Sequence, residues 1–231
     1  AGGGATKYTD ERAKYYSYTA RSYPYTIEIT KETKTNTTAF LKPFIPLEHY
    51  SVSVMHRSYS VINYTDIKLK IKEDNFNVSY ISKEEKSNGV KYIVENLQAI
   101  DKEYQSPDFF DIYPLAYFSL EYFNMKGVQG VNTNWKSFGK WMYDELISDV
   151  VILSEDAVKE VKSLVNESDS NLEKAKKVYE YMQNKTRYIN VAIGIGGWKP
   201  DKATNVHNLG YGDCKGLTNY TKAMLDEIGV T

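Results

Sequence analysis

The most chemically distinctive stretch of the sequence surrounds its single cysteine, Cys214. Residues 210–216 are Gly-Tyr-Gly-Asp-Cys-Lys-Gly, and the apolar residues that follow at helical spacing are Leu217, Tyr220, Ala223, Met224 and Ile228. This spacing predicts a helix that begins at Cys214. Unpaired backbone N–H groups and the positive end of the helix dipole favour a thiolate there, and Lys215 adds a positive charge. A thiolate attacks carbonyl carbons, and the same N–H groups can stabilise the oxyanion that results.

These residues also allow structural interpretations. A small, buried and inert cysteine is the more typical use of a lone Cys214. Asp213 is placed to cap the helix, and its negative charge opposes ionisation of the neighbouring thiol. Trp198, in the glycine-rich segment 194–200, either walls an acyl-binding groove and offers its indole N–H to an oxyanion, or packs under the cysteine helix. Cys214 is therefore the candidate catalytic residue, and Trp198 is a candidate groove or oxyanion support.

Other kinds of site have weaker support in the sequence. Segment 194–200 lacks the Lys-Ser/Thr pair that leads a phosphate-binding loop into a helix. His207 lies seven residues before Cys214, on an expected loop or short turn, which favours an exposed loop histidine over a catalytic base. Its irregular spacing to Asp201 and Asp213 offers no preformed metal geometry. We expect neither a metal nor a cofactor.

From about residue 133 onward, apolar residues recur at helical spacing. The helices of this part of the chain must position the candidate residues. The expected N-caps are Thr133 or Asn134, then Ser154, and then Ser170 in a capping box with Glu173. The first of these helices carries an apolar stripe of Trp135, Phe138, Trp141, Met142 and Leu146. A short strand is expected within 186–193.

The first 130 or so residues instead alternate between apolar and polar with a period of two. This pattern predicts strands at 23–30, 67–72, 90–94 and 115–123, with no helix among them, and a hairpin turn at 87–89, where Asn-Gly supplies positive φ angles. The fold class is therefore α+β, an antiparallel β-sandwich followed by helices. We place the boundary within 148–154, which gives domains at 1–150 and 151–231.

Composition excludes several classes of protein. The 231 residues include 29 Lys+Arg and 30 Asp+Glu, a net charge of −1, so no basic surplus indicates binding to a nucleic-acid backbone. One cysteine excludes an internal disulfide and a multi-cysteine metal site. No stretch approaches the roughly 18 apolar residues of a transmembrane helix, and the N-terminus lacks the order of a signal peptide.

Several segments, in order along the chain, resemble the transglutaminase-like, papain-related cysteine-enzyme superfamily. They are the strand-like 187–189, Gly-Gly-Trp-Lys-Pro at 196–200, the Gly-Tyr-Gly lead-in with Gly212-Asp213-Cys214-Lys215, and the end of the helix at 223–230. The resemblance covers about residues 155–231. The sheet-rich part before it resembles the β-sandwich domain of unknown function that precedes such cores in bacterial envelope proteins.

The resemblance implies that Cys214 is the nucleophile of a Cys-His-Asp arrangement that performs acyl transfer. It implies the helical N-terminal part of a truncated transglutaminase-like core, of protease, amidase or deamidase type, with protein or peptide substrates. In that superfamily the histidine and its partner lie on strands downstream of the cysteine helix, so we expect this chain to be inactive by itself. The resemblance also implies a periplasmic or cell-envelope location. The alternative is a non-catalytic binding or scaffolding module with a degenerate cysteine domain.

Overall fold

The computed structural model describes the backbone of residues 8–9 and 12–230 and the side chains of 12–230. Its strands are β1 Tyr8–Thr9, β2 Val54–Ile62, β3 Leu69–Asp74, β4 Ile81–Lys86, β5 Gly89–Leu97, β6 Leu115–Leu120, β7 Tyr122–Met125, β8 Val128–Val131, β9 Arg187–Tyr188, β10 Val191–Ala192 and β11 Tyr211–Gly212. Its α-helices are α1 Phe109–Ile112, α2 Trp135–Met142, α3 Glu155–Ser163, α4 Asn171–Lys185, α5 Ala203–Leu209 and α6 Cys214–Glu227. The antiparallel sheets and separate helices confirm the predicted α+β class.

The backbone groups into two compact units. The sheet unit comprises residues 35–135, and the helical unit comprises residues 136–230 together with the described residues up to 34. The predicted domain boundary at 150/151 stays a prediction.

The sheet unit contains three sets of antiparallel strands. β2, β5 and β4 form one sheet in that order, β3 pairs with β6, and β7 pairs with β8. Side chains from β5 and β6 share one buried core, which consists of Phe44, Val90, Tyr92, Val94, Ala116 and Phe118. Two different sheets therefore contribute to the core, and each of them buries one face there. The finer description of this unit as a β-sandwich stays a prediction.

The predicted hairpin turn joins β4 to β5 through residues 87–88, but the reason for its glycine differs from the expected one. Neither Asn88 nor Gly89 has a positive φ angle. A Cβ atom added at Gly89 would instead lie 2.0 Å from the carbonyl oxygen of Val61 in the neighbouring β2. Glycine is required here because β2 approaches the backbone too closely for any side chain.

Two predictions for the N-terminal half are wrong. Residues 23–30 form no strand in the described part of the chain, and Tyr23 and Ile29 are 81% and 84% exposed. Alternation supplies one apolar face, but a strand also needs a hydrogen-bonding partner, which local sequence does not determine. The sheet unit also contains the short helix α1, where none was expected. Asp108 begins it by accepting a hydrogen bond from the Phe110 N–H.

In the helical unit, the predicted caps at Ser154 and Ser170 are confirmed. The Ser154 side chain accepts from the Ala157 N–H, and Ser170 and Glu173 form both halves of a capping box. These caps were predictable because each involves residues within one turn of the chain.

The predicted stripe on α2 is only partly buried. Trp141 and Leu146 lie in the interior, whereas Trp135 is 88% exposed. The helix continues from Met142 into a π-helical segment, Tyr143–Ile147, which places more residues in each turn and so rotates the following residues relative to an α-helical stripe.

The core of the helical unit combines residues from four helices and the segment before α3. Its buried members are Leu153, Ala157, Val161, Val178, Met182, Ala203, Val206, Tyr220, Ala223 and Met224. The parallel pairs β9 with β11 and β1 with β10 are the strands of this unit in the described residues. Across those residues, no helix combines the length and the apolarity that crossing a membrane requires.

We predict that Gly89→Ala lowers the free energy of unfolding by about 1–3 kcal/mol, because a methyl group must push apart the backbones of β2 and β5. Gly139→Ala is the control, since a Cβ there meets nothing within 4 Å and α2 gains up to about 1 kcal/mol of helix propensity. Urea unfolding of both variants measures these changes. A Gly89→Ala protein as stable as the parent would contradict the close approach.

Candidate active site

The start of α6 is held in place by a short parallel strand pair. The Arg187 N–H donates to the Gly210 carbonyl at 3.1 Å, and the Ile189 N–H donates to the Gly212 carbonyl at 3.0 Å. Gly210 ends α5 in the left-handed region with φ +66°, a conformation that favours glycine. The chain therefore turns sharply out of α5, passes through β11 and enters α6 at a fixed position.

Asp213 caps α6, as the sequence predicts. Its carboxylate accepts a hydrogen bond from the Gly216 N–H at 2.8 Å. It also pairs with the ammonium group of Lys215. The positive charge of Lys215 and the opposing negative charge of Asp213, both weighed from the sequence, are therefore paired with each other.

Cys214 is the first residue of α6, as predicted, and it is exposed. The alternative of a cysteine buried in an apolar interior therefore does not apply. Among the described residues, the backbone N–H groups of Cys214 and Lys215 have no hydrogen-bond partner. Two amide donors thus lie at the positive end of the helix, beside an accessible sulfur.

The sulfur lines a groove of about 720 Å³ along the outer side of α6. The apolar and aromatic residues of the groove are Tyr179, Met182, Tyr188, Leu217, Leu225 and Val230. Lys222 and Asp226 also line it and form an ion pair with each other. Because these two charges balance, the groove offers mainly apolar contacts.

The opposite side of α6 is fixed by buried polar contacts. The Asn219 side-chain amide donates to the carbonyl of Val150 at 2.8 Å and to that of Asp201 at 3.2 Å. Tyr220 is fully buried one residue later. These contacts join α6 to the segments before α3 and before α5, so its two faces differ: one is anchored in the unit and the other is open.

His207 lies in a polar cluster between helices rather than on an exposed loop. Its Nδ1 is 2.9 Å from the Tyr220 hydroxyl and its Nε2 is 3.3 Å from Glu160 Oε2, with 10% of the side chain exposed. Lys185 also pairs with Glu160, at 3.3 Å. In the described part of the chain, no hydrogen bond joins His207 to Cys214. Local sequence did not predict these contacts of His207, because α5 was not among the predicted helices.

Burial determines the protonation of this cluster. Loss of solvent lowers the pKa of His207, and the nearby Lys185 ammonium lowers it further against the opposing effect of Glu160. Burial also raises the pKa of Tyr220 to about 12. The buried Tyr181 hydroxyl is close enough to Glu160 to lower the pKa of that carboxyl, yet it makes no hydrogen bond of good geometry. The imidazole is thus neutral at pH 7 and is held by its neighbours.

The glycine-rich segment is anchored away from the groove by Lys199. Its ammonium group pairs with Asp149 at 2.7 Å and donates to the Glu145 carbonyl at 3.1 Å. This pair lowers the pKa of Asp149. Trp198 is 45% exposed, and it is not among the described residues that line the Cys214 groove. Its role as groove or oxyanion support stays a prediction.

A second hollow is lined by Gly212 and Asp213, the two residues before Cys214. It measures about 360 Å³, and Lys199, Lys202, Asp201 and Asn205 supply its polar lining. Asp201 accepts hydrogen bonds from the Lys202 N–H and the Asn205 amide. Cys214 does not line this hollow, so we place the candidate chemistry in the groove.

The polar residues weighed as metal ligands are engaged elsewhere. His207 contacts Tyr220 and Glu160, Asp201 organises the start of α5, and Asp213 caps α6. Over the described residues, no group of three histidine, cysteine or carboxylate side chains is placed to hold a metal ion.

The groove itself was not predicted from the sequence. One signal was present: Leu217, Thr221 and Leu225 recur every four residues, on a face of α6 different from that of Tyr220 and Met224. The apolar arc of α6 is therefore wider than the buried row of Tyr220 and Met224, and Leu217 and Leu225 both pack against the core and line the groove.

Comparison with known proteins gives one structural likeness. No family model matches this chain, and no curated protein sequence matches it. The structure is similar to the crystal structure of a putative protease from Parabacteroides distasonis ATCC 8503, with a TM-score of 0.50 and 14% sequence identity. The likeness covers 78% of this chain and 33% of that one, so the chain spans about a third of that protein's length. At this identity the likeness shows a shared fold alone.

We predict that Asp213→Ala destabilises the helical unit by about 0.5–2 kcal/mol, because the Gly216 N–H loses its acceptor. Asp213→Asn is the matched variant, since it retains an acceptor oxygen but removes the negative charge. It should keep most of the stability and increase the rate of Cys214 alkylation severalfold, because the Lys215 ammonium is then no longer balanced. Urea unfolding and iodoacetamide kinetics measure the two effects. Equal alkylation rates in the parent and Asp213→Asn would show that this charge does not affect the sulfur.

We further predict that stability falls as the pH is lowered from about 7 towards 5.5. The folded state lowers the pKa of His207 below its unfolded value of about 6.5. The unfolded chain therefore binds more protons in this window, at a cost of at most about 1.4 kcal/mol per pH unit. His207→Gln should flatten this part of the profile while leaving the loss below about pH 4.5, where Glu160 and other carboxylates become protonated. An identical profile in the variant would contradict this role of His207.

Proposed function

We propose that this chain carries the nucleophile of a transglutaminase-like cysteine acyl-transfer enzyme of protease, amidase or deamidase type. Its substrates would be peptide bonds or side-chain amides of proteins and peptides. The observation that carries the proposal is the exposed Cys214 at the first position of α6, in the wall of an apolar groove.

The proposed reaction follows from the position of the sulfur. The Cys214 thiolate attacks the carbonyl carbon of an amide, and the carbonyl oxygen becomes an oxyanion. The N–H groups of Cys214 and Lys215 are the available donors to that oxygen. The tetrahedral intermediate collapses, the amine leaves with a proton from a general acid, and a thioester with Cys214 remains. Water then attacks the thioester carbonyl and regenerates the thiol.

This reaction needs a base that the helical unit does not place beside the sulfur. His207 is the one histidine of that unit, and its two ring nitrogens face Tyr220 and Glu160. We therefore propose that the base and its carboxylate or amide partner come from residues outside this sequence, as the family resemblance implies. The proposed periplasmic or cell-envelope location also rests on that resemblance.

The second candidate function is a binding or scaffolding module with a degenerate cysteine domain. It is favoured by the same absence of a base near Cys214 in the described residues. The two functions differ in one respect: the enzyme requires an ionised sulfur, whereas a scaffold does not.

We predict that Cys214 in this chain reacts with iodoacetamide at pH 6 about tenfold faster than N-acetylcysteine, because an ionised sulfur outweighs its lower intrinsic nucleophilicity. The urea-unfolded chain is the control, since it contains the same cysteine without a helix N-terminus, and it should react like the free amino acid. Equal rates in the folded and unfolded chain would favour the scaffold.

In the intact protein, Cys214→Ala should abolish hydrolysis of peptide or amide substrates, while this chain alone should show no turnover. Release of amine or ammonia measures both. Activity of this chain that disappears on Cys214→Ala would show that its base lies within the sequence after all.

A further inference from the structure

The sheet unit has a hollow that the proposed function does not use. It measures about 320 Å³, which is at the lower end of the range for small-ligand sites, roughly 300–1,000 Å³. It lies on β3 and β6 and on the segment that follows β8. Its lining includes the side chains of Lys70, Lys72, Tyr117, Ser119, Asn132 and Trp135.

Strand register places four of these residues on one face. Lys70 is opposite Ser119 and Lys72 is opposite Tyr117 in the antiparallel pair of β3 with β6. Because alternate residues of a strand share a face, the four side chains lie on the same side of this pair. The intervening Phe118 is buried in the core, so this face is the outer one.

Two aromatic residues border this hollow and are accessible. Trp135 is 88% exposed and Tyr117 is 45% exposed. Trp135 belongs to the apolar stripe predicted for α2, and a residue in such a stripe is expected to be buried. The packing of α2 therefore does not account for its exposure. An aromatic ring that is surrounded by solvent and polar groups suits a ligand with one apolar face and many hydroxyl groups. A pyranose ring has this character, since its C–H groups point to its faces and its hydroxyls to its rim.

The charge of the hollow restricts the ligand further. The Lys70 ammonium donates to the backbone carbonyls of Asn132 and Thr133, which are neutral, so its charge is not cancelled there. It has three donors, which leaves one for a ligand. Lys72 instead pairs with Asp74 at 2.8 Å and lies 5.8 Å from the centre of the Tyr117 ring. Of the two lysines that line this hollow, Lys70 is therefore the one without a carboxylate partner among the described residues.

We propose that this hollow binds an acidic oligosaccharide, with a pyranose ring stacked on Trp135 and a sugar carboxylate facing Lys70. Ser119 and Asn132 provide neighbouring hydroxyl and amide groups for the sugar rim. Single-stranded nucleic acid also stacks on aromatic rings, but it binds through a row of basic residues along its backbone. One uncancelled lysine favours the sugar.

The experiment is isothermal titration of this chain with tetragalacturonate, with cellotetraose as the neutral control and oligothymidylate as the nucleic-acid control. Tetragalacturonate should bind at least about fivefold more tightly than cellotetraose, because it adds a charge-assisted hydrogen bond. Raising the salt concentration should remove that preference by screening the charges. No binding of tetragalacturonate, equal binding of cellotetraose, or tighter binding of oligothymidylate would each overturn the proposal.

Trp135→Ala tests the stacking. It should weaken tetragalacturonate binding at least about tenfold, and it should fold normally because the side chain is 88% exposed. Tyr64→Ala is the matched control, since this tyrosine of the same unit is 86% exposed and does not line the hollow. Unchanged affinity in Trp135→Ala, or an equal loss in Tyr64→Ala, would place the sugar elsewhere. These results do not depend on Cys214.

Discussion

The arrangement of the helical unit depends on how the chain enters α6. Three features hold the backbone here: the strand pair of β11 with β9, the left-handed conformation of Gly210 at the end of α5, and the Asp213 carboxylate that caps the first turn of α6. The cap stabilises the helix, but it also places a negative charge beside the sulfur that the helix exposes. Lys215 balances this charge. The polarity of the site is therefore determined mainly by backbone amides, whose position is fixed by the helix itself and does not vary with side-chain conformation.

The inner contacts of α6 explain why the cysteine lies at an edge. Asn219 and Tyr220 attach one face of the helix to the unit through buried polar partners, and these partners leave little freedom to rotate the helix about its axis. Cys214 lies outside that anchored face, beside the apolar groove. A ligand in the groove thus has access to the sulfur without disturbing the core. The same rigidity separates His207 from the sulfur, because its partners hold the imidazole inside the cluster.

The parts of this structure that sequence could predict are those governed by neighbours in the chain. The caps at Ser154, Ser170 and Asp213 each join residues within one turn, and all three are found. The strand predicted at 23–30 fails because a ladder needs a distant partner. The π-helical segment after α2 and the exposure of Trp135 likewise depend on packing that no local pattern contains. For the candidate site, sequence located Cys214 and its cap, but not the groove or the cluster around His207, since both depend on which faces of several helices meet.

The relation between fold and chemistry here is set by electrostatics more than by architecture. A structural likeness at 14% identity shows that the backbone path is shared, and such a path can host active and inactive sites alike. What distinguishes them is whether the sulfur is ionised and whether a base can reach it. The groups that bear on the first property lie within residues 210–216: the two amide donors at the start of α6, the Asp213 carboxylate and the Lys215 ammonium that balances it. The second property concerns His207, the one imidazole of the unit, whose ring nitrogens face Glu160 and Tyr220. The unit thus presents an exposed sulfur on the open side of α6 and holds its imidazole on the anchored side.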